Sequence, residues 1–117
     1  MDFDLSPEQQ QLSDAITRWT EKDYGFEKRK QIIHSDTGTS GSAWQALAEL
    51  GVLALPVPSD HEGFDGTPVD QMVVMQTLGR ALVVEPVFAT ALGVEFLKLA
   101  GSHGELLSKV ASGDLKL

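Results

Sequence analysis

The three histidines of this sequence, His34, His61 and His103, are the side chains best suited to bind a metal ion or to transfer a proton near neutral pH. No two of them lie three or four residues apart, so they cannot share one helix face, and a zinc site would need ligands from separate segments to converge. The chain contains no cysteine, which excludes disulfides, thiolate nucleophiles and zinc–thiolate sites. The sequence therefore predicts no metal site.

A polar loop over residues 59–67 contains the other residue types that could perform chemistry. Ser59, Asp60 and His61 are the residue types of a hydrolytic triad, but three adjacent residues in one loop cannot adopt the geometry of nucleophile, base and orienting acid. The acids of the loop lack the spacing of a calcium-binding loop. Residues 63–66 (Gly-Phe-Asp-Gly) precede no Lys-Ser or Lys-Thr pair and follow no strand, which favours a simple turn over a phosphate-binding loop. We therefore predict no catalytic residue in the chain.

Length and composition are those of one folded domain. The 117 residues suffice for a single hydrophobic core, and 42% hydrophobic with 22% charged residues is typical of a globular protein. The formal net charge of -8 would repel DNA or RNA, so we expect no nucleic-acid partner. No apolar run approaches the roughly 18 residues of a membrane span, and the acidic start at residues 1–5 lacks the features of a signal peptide. We therefore expect a cytoplasmic protein with no membrane span.

Capping signals and apolar spacing predict an all-α chain. Ser6 with Gln9, and Ser42 with Gln45, have the spacing of a capping box, which marks the first turn of a helix. Apolar residues then recur at helical spacing, and glycines follow the ends of several of these segments. The predicted helices cover residues 7–24, a shorter stretch over 26–34, and about 42–50, 68–82, 86–100 and 106–112. Because no strand is convincingly indicated and no internal repeat occurs, we predict an orthogonal or up-and-down bundle of five to six helices.

Three further stretches have a distinct character. Residues 52–58 are apolar and include two prolines, so we expect a buried, extended crossing of the core. The fourth predicted helix is apolar almost all round, which is typical of a central helix covered on most sides. On that helix Met72, Met75 and Gln76 could line a ligand groove, although methionine on an apolar helix is more often core packing. Residues 114–117 have the character of a strand that begins and is cut off, as expected of a fragment.

The order of several motifs along the chain resembles the N-terminal domain of acyl-CoA dehydrogenases. Residues 3–9 (Phe-x-Leu-Ser-x-Glu-Gln) are similar to the opening of that family, and residues 44–58 (Trp-x-x-Leu-Ala-Glu-Leu-Gly-Val-Leu-x-Leu-x-Val-Pro) to its central block. Further similarities lie in residues 62–66 (Glu-Gly-Phe-Asp-Gly), 75–81 (Met-Gln-Thr-Leu-Gly-Arg-Ala) and 111–113 (Ala-Ser-Gly). The resemblance extends over essentially the whole chain.

The sequence departs from the family pattern at two places. Phe64 stands where the family usually has a second glycine, which could restrict the loop, because only glycine enters left-handed backbone conformations freely. Gln76 and Thr77 stand where the family usually has paired acids, which removes negative charge near the end of a helix. Residues 24–30 and 79–86 most resemble the small subunits of two-subunit enzymes of the pimeloyl-CoA dehydrogenase kind.

The resemblance implies a three-part enzyme that uses FAD. In that family a middle β domain holds much of the FAD and a C-terminal helical bundle supplies the catalytic glutamate, so residues 1–117 are expected to form only the N-terminal domain. The family reaction oxidises an acyl-CoA thioester to the 2,3-enoyl-CoA: the glutamate removes the α-proton and the flavin accepts the β-hydride. The resemblance further implies fatty acid metabolism, an electron-transfer flavoprotein or similar acceptor, and a homo- or hetero-oligomer. This chain alone is expected to be inactive and to bind no FAD.

The resemblance also places one wall of the acyl pocket at the end of the fourth helix and the start of the fifth. The substrate-binding residues expected there are Leu82, Val83, Val84, Val87, Phe88 and Ala91. Packing in the core explains each of the six equally well, because the wall of an apolar pocket and the wall of a core have the same composition. Two other functions stay open: a catalytically silent helical module that packs on a partner, and a non-catalytic small subunit of a two-subunit dehydrogenase.

Overall fold

The computed structural model describes residues 4–117, and within that range it contains helices, turns and loops but no strand. The helices are α1 (Pro7–Asp23), α2 (Phe26–Ile33), α3 (Gly41–Glu49), α4 (Pro68–Arg80), α5 (Val87–Ala100) and α6 (Gly104–Ser112), with a short 3-10 helix at Ser59–His61. The prediction of an all-α chain is confirmed. None of the helices in this range combines the length and the apolar character that a membrane crossing needs. Residues 1–3, which include Phe3 of the family opening and most of the acidic start, lie outside the described residues.

Interlocked capping boxes join the starts of α1 and α4. Ser6 Oγ accepts a hydrogen bond from the backbone N–H of Gln9 at 3.1 Å, and Gln9 Oε1 accepts one from the N–H of Ser6 at 2.9 Å. Thr67 and Asp70 form the same pair of bonds at the start of α4. The side-chain amide of Gln9 also donates to Asp70 Oδ1 at 2.7 Å, and this bond is the main reason why the pKa of Asp70 lies below its usual range. The two predicted helix starts are therefore confirmed, and they lie together where α1 packs along α4.

Two predicted helix ends differ from the structure. The N-cap of α3 is Ser40 rather than Ser42, because Ser40 has an extended backbone and its Oγ accepts from the N–H of Ala43 at 3.2 Å. The end of α4 comes two residues earlier than predicted, since Leu82 has a φ of 54° and lies in the left-handed region, which cannot continue a right-handed helix. Local capping geometry sets both ends, and a sequence pattern specifies it only to within a residue or two.

The apolar segment that follows α3 is buried, as predicted, but it is not extended. Val52, Leu53 and Val57 are almost completely buried. The segment consists of consecutive turns, in one of which the N–H of Val57 donates to the carbonyl of Ala54 at 3.1 Å. Gly51, with a φ of 85°, reverses the chain directly after α3 and lets these turns fold back on the helix. The prediction of an extended crossing is therefore wrong in conformation.

The polar loop that leads to α4 packs two glycines against this buried segment. A side chain at Gly63 would collide with the backbone of Val57, and a Cβ atom at Gly66 would lie 2.6 Å from the carbonyl oxygen of Leu55. Because backbone meets backbone at both places, no larger residue fits without a shift of the chain. The loop glycines serve a close turn, in agreement with the sequence interpretation.

Phe64 does not restrict this loop in the way the sequence suggested. The left-handed positions are Glu62, with a φ of 72°, and Asp65, with a φ of 52°. Phe64 is not among them, so it adopts its conformation without strain of that kind. Its ring, 63% exposed, lies over Gly51, where a Cβ atom would be 3.1 Å from Phe64 Cε2. The aromatic residue therefore covers the turn after α3.

The main core lies where α1, α3, α4 and the start of α5 meet. Ile16, Leu47 and Val74 are completely buried there. A second cluster joins α5 and α6 to the turns after α3, with Val94 and Val110 at its centre. Both clusters include residues of the segment between α3 and the 3-10 helix, which explains why that segment is buried.

Helix α4 is not covered on most sides, contrary to the sequence expectation. Val69 and Met72 on its outer face are each 53% exposed. The outer face of α5 is also apolar and exposed, through Phe88, Leu92, Phe96 and Leu99. The inner faces of both helices pack into the two clusters, and no other segment among residues 4–117 covers the outer faces.

Residues 114–117 do not form a strand. Gly113 ends α6 with a φ of 86°, after which Leu115 packs on the second cluster and Leu117 lies close to Gly93 of α5. A strand needs a neighbouring strand to pair its backbone groups, and the described residues contain none. Residues 114–117 are a loop in this structure, and the start of a strand predicted there stays a prediction.

Candidate functional site

An open groove, the α4–α5 groove, lies between the first half of α4 and the middle of α5. Its volume is about 630 Å³, which is within the range of small-molecule sites in proteins. Two helices supply its walls, through Gln71, Met72, Met75, Phe88, Ala91 and Leu92. Its end is formed by the loop before α4 and by Pro56 of the buried turns. The tight glycine turn described above therefore positions one end of the groove.

The charged groups of the groove are already paired. Lys98 Nζ lies 3.1 Å from Glu95 Oε1 on the same helix and donates to the carbonyl of Pro56 at 3.4 Å. The side chains of Glu95 and Lys98 are 54% and 33% exposed, so the ion pair stands at the edge of the groove. Exposed pairs of this kind contribute little to stability. The rest of the lining is apolar apart from Thr67 and Gln71, which suits the groove to a mainly apolar ligand.

The groove has no side chain that is placed to act as a general base, a general acid or an activated nucleophile. Among the residues described, its lining includes no histidine, serine, tyrosine or aspartate, and its one carboxylate is the paired Glu95 at the edge. A general base has to reach the proton that it removes within hydrogen-bond distance. The arrangement can hold and orient an apolar chain, and any chemistry on that chain has to come from other groups.

Two of the three histidines lie near one another without forming a metal site. His61 and His103 line a shallow depression at the start of α6, where His61 packs against Gly104. Its Nε2 atom is 3.8 Å from Asp60 Oδ2. Within residues 4–117, no three or more histidine, aspartate, glutamate or cysteine side chains are arranged to hold a metal ion.

The structure brings two of the six predicted pocket residues into the groove. Phe88, 62% exposed, and Ala91 line it from α5. Val87 is 3% exposed and packs in the main core, one position out of phase with the groove. Val83 also packs on the core, while Leu82 and Val84 point outward from the loop between α4 and α5. The substrate contacts of all six residues stay predictions.

The sequence did not decide whether Met72 and Met75 line a groove or pack in the core, and neither Gln71 nor Leu92 was predicted to line a groove. Met72 and Met75 both line the groove, and Met75 also packs against the main core. Gln76 is exposed and lies outside the groove. Leu92 follows Phe88 by four residues, so the helical period was a signal that could have identified it. Nothing in the sequence indicated Gln71.

The loop between α4 and α5 is fixed by a buried carboxylate. Glu85 is 5% exposed; its Oε1 accepts a hydrogen bond from the Tyr24 hydroxyl at 2.6 Å and its Oε2 one from the N–H of Ser40 at 2.8 Å. The hydroxyl of Tyr24 accepts in turn from the N–H of Val84 at 3.1 Å. Burial, together with the bond to Glu85, raises the pKa of Tyr24 to about 12. Tyr24 and Glu85 are 61 residues apart, so no local pattern could have predicted this pair.

A strained leucine occupies the same loop. Leu82 has a φ of 54° and is 62% exposed. Arg29 holds the residue before it, because its Nη1 donates to the carbonyl of Ala81 at 2.9 Å. A left-handed conformation costs a residue other than glycine roughly 1–2 kcal/mol. The contacts on both sides of Leu82 therefore keep it in a conformation that it would not adopt alone.

We expect Leu82→Gly to stabilise the chain by about 0.5 kcal/mol, because relief of the strain exceeds the added freedom of glycine in the unfolded chain. The matched control is Leu99→Gly. Leu99 is 84% exposed but helical, so the same change should cost about 1 kcal/mol there. Urea unfolding of the two variants measures both values. Destabilisation by Leu82→Gly as large as that by Leu99→Gly would show that Leu82 is not strained.

The capped helices, the glycine turn and the open groove define an all-helical domain whose groove has the volume and the mainly apolar lining of a small-molecule site. Residues 6–114 match the model of the acyl-CoA dehydrogenase N-terminal domain. The chain therefore belongs to the acyl-CoA dehydrogenase family, as its N-terminal domain. The resemblance drawn from the sequence motifs is confirmed.

Several mycobacterial acyl-CoA dehydrogenases are similar to the chain. IpdE2 of Mycobacterium tuberculosis is 32% identical over 108 residues, which are 91% of this chain and 34% of that protein. IpdE2 of Mycolicibacterium smegmatis is 31% identical over 93% of the chain and 35% of its own length. FadE28 of M. tuberculosis is 35% identical over 97% of the chain and 29% of its own length. The chain thus spans about a third of the length of the curated relatives it matches. No solved structure matches it significantly.

Proposed function

We propose that this chain is the acyl-pocket-forming domain of an FAD-dependent acyl-CoA dehydrogenase that oxidises an acyl-CoA thioester to the 2,3-enoyl-CoA. The observation that carries the proposal is the α4–α5 groove: an apolar site of about 630 Å³ without an acid or base inside it, on an acyl-CoA dehydrogenase N-terminal domain. Each methylene buried in such a groove contributes about 0.8 kcal/mol of binding. The groove then binds and orients the acyl group, while the reacting carbons lie elsewhere.

The α4–α5 groove does not fit FAD by itself. The groove is apolar, and its one cation, Lys98, is paired with Glu95, so nothing in it would neutralise a pyrophosphate. We therefore assign the flavin, and the carboxylate that removes the α-proton, to parts of the enzyme outside this chain. The chain alone is accordingly expected to be inactive.

The exposed apolar faces of α4 and α5 support the same assignment. Phe96 and Leu99 are 65% and 84% exposed, and surfaces of this kind are usually covered by another domain or subunit. The proposal therefore includes an oligomeric enzyme. From the family resemblance it also includes an electron-transfer flavoprotein or similar acceptor, the cytoplasm as location and a role in fatty acid metabolism. A non-catalytic small subunit is the second candidate, since residues 79–86 resemble such subunits.

The test is to tag this chain at its gene in the source organism and to purify the native protein. We expect a yellow protein about three times the length of the chain, as in its relatives, with flavin absorbance that is bleached by an acyl-CoA. Purification of a flavoprotein that consists of this polypeptide and a second one, with the flavin and base on the second, would favour the small subunit instead. A colourless protein of the chain's own size would contradict both the dehydrogenase domain and the small subunit, and it would favour a catalytically silent helical module that packs on a partner.

A further inference from the structure

The side-chain amide of Gln71 has no partner. Neither its Nε2 nor its Oε1 is reached by solvent, and neither makes a hydrogen bond within residues 4–117. The indole N–H of Trp44, in the main core, is the only other side-chain group among these residues in that condition. A buried polar group without a hydrogen bond destabilises a protein, and most native amides avoid it. Gln71 differs from Trp44 in one respect, because it lines the α4–α5 groove.

The polar groups near Gln71 are already used by others. The carboxylate of Asp70 accepts from the side chain of Gln9 and from the N–H of Thr67. The hydroxyl of Thr67, which also lines the groove, accepts from the N–H of Asp70. Lys98 bonds to Glu95 and to a backbone carbonyl. Within residues 4–117 none of these groups bonds to the Gln71 amide, and the groove that Gln71 lines is a side from which a partner can come.

We propose that Gln71 is a specificity-determining residue that selects acyl groups with a hydroxyl or carbonyl oxygen along the chain, over plain hydrocarbon. This inference rests on the proposed function. An amide offers two N–H donors and one carbonyl acceptor, so either kind of oxygen can pair with it. Gln71 lines the groove, and rotation about its side-chain bonds can bring the amide to an oxygen bound there.

The physical basis of the selection is the unpaired amide. A plain acyl chain in the groove leaves both polar atoms of Gln71 unsatisfied and further removed from water, whereas an oxygen at the right depth pairs with one of them. A site that forms such a hydrogen bond discriminates between substrates with and without the bonding group far more strongly than an apolar pocket discriminates between substrates that differ by one methylene. We therefore expect a preference of at least about tenfold in kcat/KM for an oxygen-bearing acyl group.

The experiment compares octanoyl-CoA with a series of octanoyl-CoAs that carry a hydroxyl or keto group at successive positions beyond the β-carbon. The complete enzyme is assayed as wild type and as Gln71→Met, which keeps the length of the side chain without the amide. We expect the wild type to prefer one position in the series by at least about tenfold, and Gln71→Met to lose that preference because its kcat/KM falls more for the oxygen-bearing acyl group than for octanoyl-CoA. Gln76→Met is the matched control, since Gln76 is exposed and outside the groove, and it should keep the preference.

The outcomes separate this inference from the function on which it rests. If no acyl-CoA in the series is oxidised, the proposed function fails and the inference with it. If octanoyl-CoA is oxidised but Gln71→Met leaves the ratio between substrates unchanged, the function stands and the inference is overturned. A uniform loss of activity in Gln71→Met would also overturn it, because that is the effect of a purely structural side chain. The melting temperature of Gln71→Met gives a second measurement, and it should rise when the unpaired amide is removed.

Discussion

Tyr24→Phe is expected to lower the free energy of unfolding by about 2 kcal/mol, the usual magnitude of a lost hydrogen bond to a charged group. The substitution removes the 2.6 Å bond to Glu85 Oε1 and leaves the N–H of Val84 without its partner. Glu85 would then be a buried carboxylate held by the N–H of Ser40. Denaturant unfolding at neutral pH, with circular dichroism as the signal, measures the loss.

A double-mutant cycle provides the control for this prediction. Glu85→Gln also weakens the network, because the amide nitrogen that replaces one carboxylate oxygen cannot accept a hydrogen bond. If Tyr24 and Glu85 stabilise the chain through one shared bond, the double variant should be more stable than the sum of the two losses implies, by about 1 kcal/mol. Strictly additive losses would contradict the direct role of this bond.

The same hydrogen bond makes stability depend on alkaline pH. Burial and the bond to Glu85 raise the pKa of Tyr24 from 10.0 to about 12, so the folded chain keeps the phenolic proton where the unfolded chain has released it. The contribution of Tyr24 is therefore complete below pH 10 and is lost as the pH rises toward 12. Tyr24 is the single tyrosine of the sequence, so the absorbance of tyrosinate reports its ionisation alone. In Tyr24→Phe this part of the alkaline destabilisation should be absent.

The sequence predicts correctly the features that depend on residues close together in the chain, such as helix caps. The Ser6 box and the glycine after α6 each involve a few adjacent residues, and both are where the pattern indicated. The segment after α3 shows where this kind of reasoning ends. Its apolar residues predict burial, but whether a buried segment is extended or turned depends on local hydrogen bonds that hydrophobicity does not specify.

The candidate site depends on contacts between distant segments, which explains why it was only partly predicted. The bond between Gln9 and Asp70 spans 61 positions, as does the bond between Tyr24 and Glu85. On α5 the helical period predicts two faces but not which of them turns to the core. Val87 and Val94 are buried, whereas Phe88 and Leu92 are exposed on the groove side. Val87 precedes Phe88 by one residue, so the choice of face decides which of the two lies on the groove side.

That distinction leads to the prediction with the largest expected effect on activity, Ala91→Trp in the complete enzyme. Ala91 lines the groove, so an indole there occupies space that acyl methylenes would fill. One methylene in an apolar pocket contributes roughly 1–3 kcal/mol to discrimination, so loss of room for one or two should shift relative kcat/KM toward shorter acyl chains by about tenfold or more. Because the groove is open, the larger side chain does not have to enter the core, and the melting temperature should change little.

Val87→Trp is the matched variant, with the same residue introduced one helical turn earlier on α5. Val87 is 3% exposed in the main core, so the indole overpacks it and should cost about 3 kcal/mol of stability. The resulting loss of activity should be uniform over acyl chain length, since a less stable fold does not distinguish one substrate from another. A kcat/KM series from short to long acyl-CoAs, run beside melting curves, separates the two variants. If Val87→Trp shifted the length profile and Ala91→Trp did not, the acyl group would lie next to Val87 rather than Ala91, and the α4–α5 groove would not be the acyl pocket.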